Sequence, residues 1–176
     1  MKVALDLDST LARTLDVALD LMGEDGYSYD DFEYWDWPLE EFGDTRFLNA
    51  AWHAWTIRPD EIEPFESNVA ALTEQLYTAV ERLDIVTKHP DGMFGVDEGK
   101  WRWLDRHNVF YDEYRSVDRS KDNFLYDLYI DDNPNLVKTD ATVMLYDQPY
   151  NRDVEAFART NSLSEAYTIL TGEIDE

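Results

Sequence analysis

The sequence predicts an α/β fold: a parallel sheet flanked by helices, with a small helical cap inserted after the first strand. Three observations lead there. The chain opens on a short apolar run, Val3-Ala4-Leu5-Asp6-Leu7, with the near-continuous hydrophobicity of a strand buried on both faces. Further short apolar or β-branched runs then alternate with helical periodicity, the pattern of parallel strands joined by right-handed crossovers. Roughly sixty residues of helical character separate the first strand from the second, too many for a single crossover, so an insertion is expected.

In chain order, the first strand ends in Asp6 and Asp8. Residues 11–22 then place Leu11, Leu15, Ala18, Leu19 and Met22 at helical spacing, and Gly23 and Gly26 stop the helix. An aromatic, acidic segment follows over 27–37, with Ser28 or Asp30 as caps. Asp44 is positioned to cap a helix over 45–55. Pro59 and Pro64 punctuate, and a third helix spans 66–82. The second strand is 83–87, after which Pro90 forces Lys88-His89-Pro90 into a turn. A helix over 96–107, a third strand over 114–117, a fourth over 125–130 and a fifth over 141–146 come next. A helix over 164–171 closes the chain. The expected division is a core of 1–13 with 76–176, and a cap of 14–75.

Composition narrows the setting. No apolar stretch reaches the length of a membrane span, and acids interrupt the first apolar run too early for a signal peptide. Cysteine is absent, which removes disulfides and thiolate metal sites and fits a cytoplasmic home. There are 39 Asp plus Glu against 15 Lys plus Arg, a formal net charge of −24. Self-repulsion at that charge weakens a compact state unless salt screens it, and near 1 M salt the Debye length is about 3 Å. The acids are dispersed along the whole chain rather than gathered in a tail. Adaptation to a high-salt cytoplasm, as in halophilic archaea, is therefore expected. A basic face for a nucleic-acid polymer is lacking.

Two carboxylates at the end of a buried strand need a reason, since such groups are normally paired or bound to metal. Strand ends of this kind are also where open α/β sheets bind ligands. A calcium loop starting at Asp6 would need Gly at its sixth position and an acid at its twelfth, but Leu11 and Val17 stand there. A plain turn with Asp as helix cap accounts for one carboxylate, not both. Downstream, Thr87 ends the second strand, Asp131 and Asp132 end the fourth, and Lys121 precedes Asp131. In a parallel sheet these strand ends share one edge.

Asp6-Leu7-Asp8-Ser9-Thr10, Thr87, Lys121 and Asp131-Asp132, in that order and at strand ends, resemble the four-motif set of the haloacid dehalogenase (HAD) superfamily of phosphohydrolases, with its Rossmann-like core. The resemblance implies that Asp6 attacks phosphorus while Asp8 serves as acid and then base. Thr87 would bind a phosphoryl oxygen, and Lys121 would neutralise charge and keep Asp6 ionised. Asp6, Asp131, Asp132 and the Asp8 carbonyl would hold Mg²⁺, which hard oxygen ligands without thiolate favour. Seven of the fifteen cations lie between positions 88 and 121 (Lys88, Lys100, Arg102, Arg106, Arg115, Arg119 and Lys121), a local basic rim for an anionic substrate. For Arg102, Arg106 and Arg115 the alternative is pairing with surface acids.

Within that superfamily, four stretches are similar to the 5′(3′)-deoxyribonucleotidase (cytosolic type C 5′-nucleotidase) family. They are Asp97-Glu98-Gly99-Lys100-Trp101-Arg102-Trp103-Leu104, Asp118-Arg119-Ser120-Lys121, Tyr129-Ile130-Asp131-Asp132 and Pro149-Tyr150-Asn151-Arg152. The likeness covers 1–11 and 83–152. It implies that Lys100 and Arg119, with Lys88 in the same rim, contact the substrate phosphate. Cap aromatics, Trp35 and Trp52 among them, would hold a nucleobase. Ser9 stands where that family usually has Gly. The expected activity is a Mg²⁺-dependent 5′-nucleotidase acting on small nucleotides. Alternatives are a sugar-phosphate phosphatase, a silent binding protein that would have no reason to keep both Asp6 and Asp8, or a repair phosphatase, which the acidic surface disfavours.

Overall fold

A computed structural model describes residues 1–89 and 92–172; Pro90, expected to force a turn, lies outside them. Six parallel strands form one sheet: β1 (Lys2–Leu5), β2 (Arg82–Lys88), β3 (Glu113–Val117), β4 (Leu128–Asp131), β5 (Val143–Tyr146) and β6 (Ala158–Thr160). Their spatial order is β3-β2-β1-β4-β5-β6. Helices α1 (Thr14–Met22), α2 (Trp37–Phe42), α3 (Asp44–Ile57) and α4 (Val69–Ala79) lie between β1 and β2. Helix α5 (Val96–Arg106) follows β2, and α6 (Leu163–Thr171) follows β6.

Strand alternation sorts the apolar side chains into two faces. Val3, Leu5, Leu83, Ile85, Leu128, Ile130, Met144 and Tyr146 look towards α3, α4, α5 and α6, which contribute Trp55, Leu72, Leu76, Trp103, Leu104 and Ala166 to one core. Ala4, Val86, Tyr129, Val143 and Leu145 form the other face. Among the described residues it is covered by Leu136 and partly buried Tyr126, Val137, Val154 and Ala156, all in loops or short 3-10 turns rather than α-helices. The parallel sheet with flanking helices is the expected class, with its longer helices gathered on one face.

Several boundaries differ from expectation. Gly43 rather than Asp44 caps α3, at φ +82°, where an L side chain is strained. Helix α4 starts at Val69, not at residue 66; the Glu66 carboxylate accepts the Leu163 N–H at 2.8 Å, in the first turn of α6, whose N-cap is Ser162. The expected cap boundary at residue 75 falls inside α4, whose Val69, Leu72 and Leu76 belong to the sheet core. Strand β4 starts only at Leu128, since Leu125 is 96% exposed and the Tyr126 hydroxyl is drawn to Asp84. Strand β6 was not anticipated; Ala-Arg-Thr is too short and too polar to signal a strand.

Between β1 and β2 the aromatics pack mainly on one another. Tyr27, Tyr29, Phe32, Trp35, Trp37, Phe42 and Phe65 form a cluster with Leu19 and Tyr150. Its contacts are tilted or edge-on, as in Tyr27–Phe42 at 5.2 Å and Phe32–Trp37 at 5.1 Å.

Candidate active site

Register brings the acids together. Leu5 lies level with Ile130, and the Asp6 N–H donates to the Ile130 carbonyl at 2.9 Å, so Asp6 and Asp131 leave adjacent strands side by side. One carboxylate oxygen from each of Asp6, Asp131 and Asp132 lies within 4.8 Å of the others. All three residues are buried. Lys121, equally buried, places Nζ 2.6 Å from Asp6 Oδ1 and 2.7 Å from Asp131 Oδ2. A 3-10 turn, Lys121–Asn123, carries it, and the Tyr129 hydroxyl donates to the Lys121 carbonyl at 3.1 Å.

Asp132 is pinned at both oxygens: Thr10 donates to Oδ1 at 3.3 Å and the Tyr150 hydroxyl to Oδ2 at 2.6 Å. Asp131 Oδ1 accepts the Asn133 N–H at 2.9 Å. Burial raises the Asp6 carboxyl well above the ordinary carboxylate range; Lys121 opposes this, and the neighbouring acids add to it. Burial, reinforced by Asp131, likewise pushes Asp132 up to about 6. For Lys121, burial works against the ammonium, but Asp131 and Asp6 outweigh it and raise its pKa.

Three carboxylates against one ammonium leave a surplus of negative charge in a buried site. Asp6 Oδ1 is buried and, despite the nearby ammonium, has no aligned hydrogen bond. A hard divalent cation answers both features, and the all-oxygen donor set suits Mg²⁺.

Asp8 lies next to this group and is held by four donors. Thr14 Oγ1 and Trp55 Nε1 each donate to Oδ1 at 2.7 Å. Lys100 Nζ at 2.6 Å and Thr87 Oγ1 at 3.1 Å donate to Oδ2. Burial alone would raise the Asp8 carboxyl, but the Lys100 charge and these hydrogen bonds together hold it below its usual value. The intervening loop turns back at once, with Leu11 and Ala12 N–H groups donating to the Leu7 carbonyl. Ser9 sits at φ +62°, in the left-handed region that glycine adopts without strain. Gln148 Nε2 donates to the Ser9 carbonyl at 2.7 Å.

The phosphate-contact residues expected from sequence are divided. Lys88 and Arg119 are exposed and, with Trp35 and Tyr150, line a 470 Å³ cavity that also holds Asp6, Asp8, Lys121, Asp131 and Asp132. Lys100 does not line it. The lysine is 1% exposed, with Nζ 2.7 Å from Thr87 Oγ1 as well as on Asp8, so it stands behind Asp8 and Thr87. Trp52 is also elsewhere. It lines an adjoining 170 Å³ cavity that shares Asp8, Ser9 and Lys88 with the first, with its indole N–H on the Phe94 carbonyl and its ring stacked on His53. Arg102 and Arg106 pair with Asp60, and Arg115 with Glu113 and Asp84, so these cations are engaged away from the acids.

Sequence reasoning missed Thr14, Trp55 and Gln148. Trp55 carried no signal that set it apart from the other aromatics of its segment. Gln148 adjoins a stretch already noted for its family likeness, which was the available clue.

A family model described as 5′ nucleotidase, deoxy (pyrimidine), cytosolic type C protein (NT5C) matches residues 1–173. Among curated proteins, none matches the chain.

Proposed function

From the premise that the chain belongs to the cytosolic type C 5′-nucleotidase family, a HAD-like family of phosphomonoester hydrolases, we propose that it hydrolyses deoxynucleoside monophosphates through an aspartyl-phosphate on Asp6. The observation that carries this reading is the convergence of Asp6, Asp131 and Asp132 within 4.8 Å, with Lys121 bridging Asp6 and Asp131.

In the first step an Asp6 carboxylate oxygen bonds to phosphorus and the ester P–O bond breaks. The leaving oxygen keeps the electron pair and takes a proton from Asp8. In the second, water attacks phosphorus, Asp8 takes its proton, and the P–O bond to Asp6 breaks to release phosphate. The net change is ester plus water to alcohol plus phosphate. The Lys100 charge and the hydrogen bonds favour the Asp8 carboxylate, the form the second step needs, so the first step draws on its minor protonated form. Trp55 and Lys100 can only donate to it, one on each oxygen, and so fix its plane. The hydroxyls of Thr14 and Thr87 can turn from donor to acceptor and accommodate the proton. Lys121 opposes the burial that favours a protonated Asp6 and offsets charge on the phosphoryl group.

Asp6, Asp131, Asp132 and the Asp8 carbonyl would hold Mg²⁺, which when bound polarises the phosphoryl oxygens. Lys88 and Arg119 at the cavity rim would receive the phosphate, and Trp35 would face the base. Residues 14–75, apart from the stretch of α4 that packs on the sheet, would act as the cap. No helix among the described residues is long and apolar enough to cross a membrane. The dispersed excess of acids supports a high-salt cytoplasm as the working environment.

The test is a panel of nucleoside and sugar monophosphates in molar KCl with Mg²⁺. Deoxynucleotide turnover that EDTA removes, Mg²⁺ restores and Asp6→Asn abolishes is expected. Normal turnover by Asp6→Asn rules the mechanism out, and a sugar-phosphate preference overturns the substrate assignment.

A further inference from the structure

Resting on the reading of Asp132 as a metal ligand, we propose that Tyr150 is a positioning residue that sets Mg²⁺ affinity, at the head of a turn that clamps the metal site from the far end of the chain.

The turn is built for this. Pro149–Asn151 is a single 3-10 turn directly after β5, and Asn151 is fully buried. Its side-chain amide donates to the Asp132 carbonyl at 2.8 Å and to the Tyr146 carbonyl at 2.9 Å, tying the turn to the residue that follows β4. Gln148 reaches the other way, to the Ser9 carbonyl, and so holds the loop that carries Asp6 and Asp8. Tyr150 completes the clamp with its hydroxyl on Asp132 Oδ2 at 2.6 Å.

Thr10 and Tyr150 each donate to a different oxygen of the Asp132 carboxylate. Each oxygen then keeps a lone pair for another partner, in a plane that cannot rotate. A carboxylate fixed this way is ready for a cation without further ordering. Outer donors to metal ligands typically account for about ten- to hundredfold in metal affinity. Tyr150 is 92% buried, and its ring packs edge-on against Trp35 at 5.6 Å while lining the same cavity as the acids. Ring and hydroxyl therefore have separable duties. The ring is wall, and the hydroxyl belongs to Asp132.

Tyr150→Phe removes the hydroxyl and leaves the wall. Mg²⁺ titration of the full chain by calorimetry, in high KCl and without substrate, gives the direct readout. Binding at least tenfold weaker in Tyr150→Phe is expected. Asp132→Asn is titrated alongside. Weaker binding in Asp132→Asn but unchanged binding in Tyr150→Phe overturns the role of Tyr150 and leaves the metal site standing. Unchanged binding in both removes Asp132 from the metal site, and the proposal falls with it. A fall in nucleotide affinity without a change in Mg²⁺ affinity would make Tyr150 only a wall residue and also overturn it.

Discussion

Gly99 on α5 abuts the main chain of Trp55 on α3 so closely that a Cβ added there would collide with the Trp55 carbonyl. The contact sets the spacing of two helices whose neighbouring side chains, Lys100 and Trp55, both end on Asp8. Gly99→Ala must therefore push α3 and α5 apart. A loss of stability of about 1–3 kcal/mol or more is expected from overpacking, with a fall in kcat larger than any change in KM. Chemical denaturation and steady-state kinetics check it; a variant as stable and active as wild type would show that the helices separate freely.

Lys121 is the only cation between Asp6 and Asp131 among the described residues. Lys121→Met leaves two buried carboxylates facing each other. Removing one partner of a buried ion pair typically costs about 3–5 kcal/mol. The metal-free variant should melt well below wild type, and Mg²⁺ should close part of the gap. Thermal melts with EDTA and with Mg²⁺ measure both, and equal melting of variant and wild type in EDTA contradicts the pairing.

The raised Asp132 pKa gives a pH signature to the metal-free protein. Its folded value is about 6, against an ordinary 3.8. Between those values the folded state keeps a proton that the unfolded chain releases. Asp132 therefore costs nothing below pH 4 and progressively more up to pH 6, on the order of 3 kcal/mol above it. In EDTA, Asp132→Asn should be more stable than wild type at pH 7.5 and lose that advantage below pH 4. A constant difference across this range would contradict the assignment.

Ser9 at φ +62° carries backbone strain that a glycine would not. Relief of roughly 1–2 kcal/mol is offset by the greater freedom of glycine in the unfolded chain, about 0.5–1 kcal/mol. Ser9→Gly should thus be within about 1 kcal/mol of wild type and remain active. Ser9→Val, with a branched side chain at positive φ, should lose about 2 kcal/mol or more. Urea unfolding of the pair provides the comparison; equal stability of the two variants would mean the loop adapts.

Net charge gives a prediction about solvent. At −24 the folded chain repels itself, and molar salt screens that repulsion. The melting temperature should climb steadily from low to molar KCl. A flat or falling curve would remove the high-salt assignment.

The strands and their acids could be read from sequence because both report on burial. Asp6, Asp131 and Asp132 stand out by being charged at the ends of apolar runs, and Thr87 by ending one. Lys100 and Trp52 were harder. Sequence identifies a lysine near a substrate-binding motif but not which way α5 turns it, and here it faces Asp8 from behind. Trp52 belongs to a segment with more rings than its core needs, and only packing decides which cavity each ring meets. Trp55 and Gln148 were missed because their partners, Asp8 and the Ser9 carbonyl, are distant in sequence. Strand β6 has too few apolar residues to register at all.

The hydrogen bond from Gln148 to Ser9 joins residues 139 positions apart, and this bears on how the protein is made. During synthesis Asp6 and Asp8 emerge long before Gln148 and Tyr150, which fasten their surroundings. A growing chain halted before β5 would have its leading acids but neither Gln148 nor Tyr150 to lock them. Contacts this remote also delay the search for the native arrangement. Until Gln148 and Tyr150 have been made, the loop that carries Asp6 and Asp8 lacks the contacts that hold it and Asp132 in place.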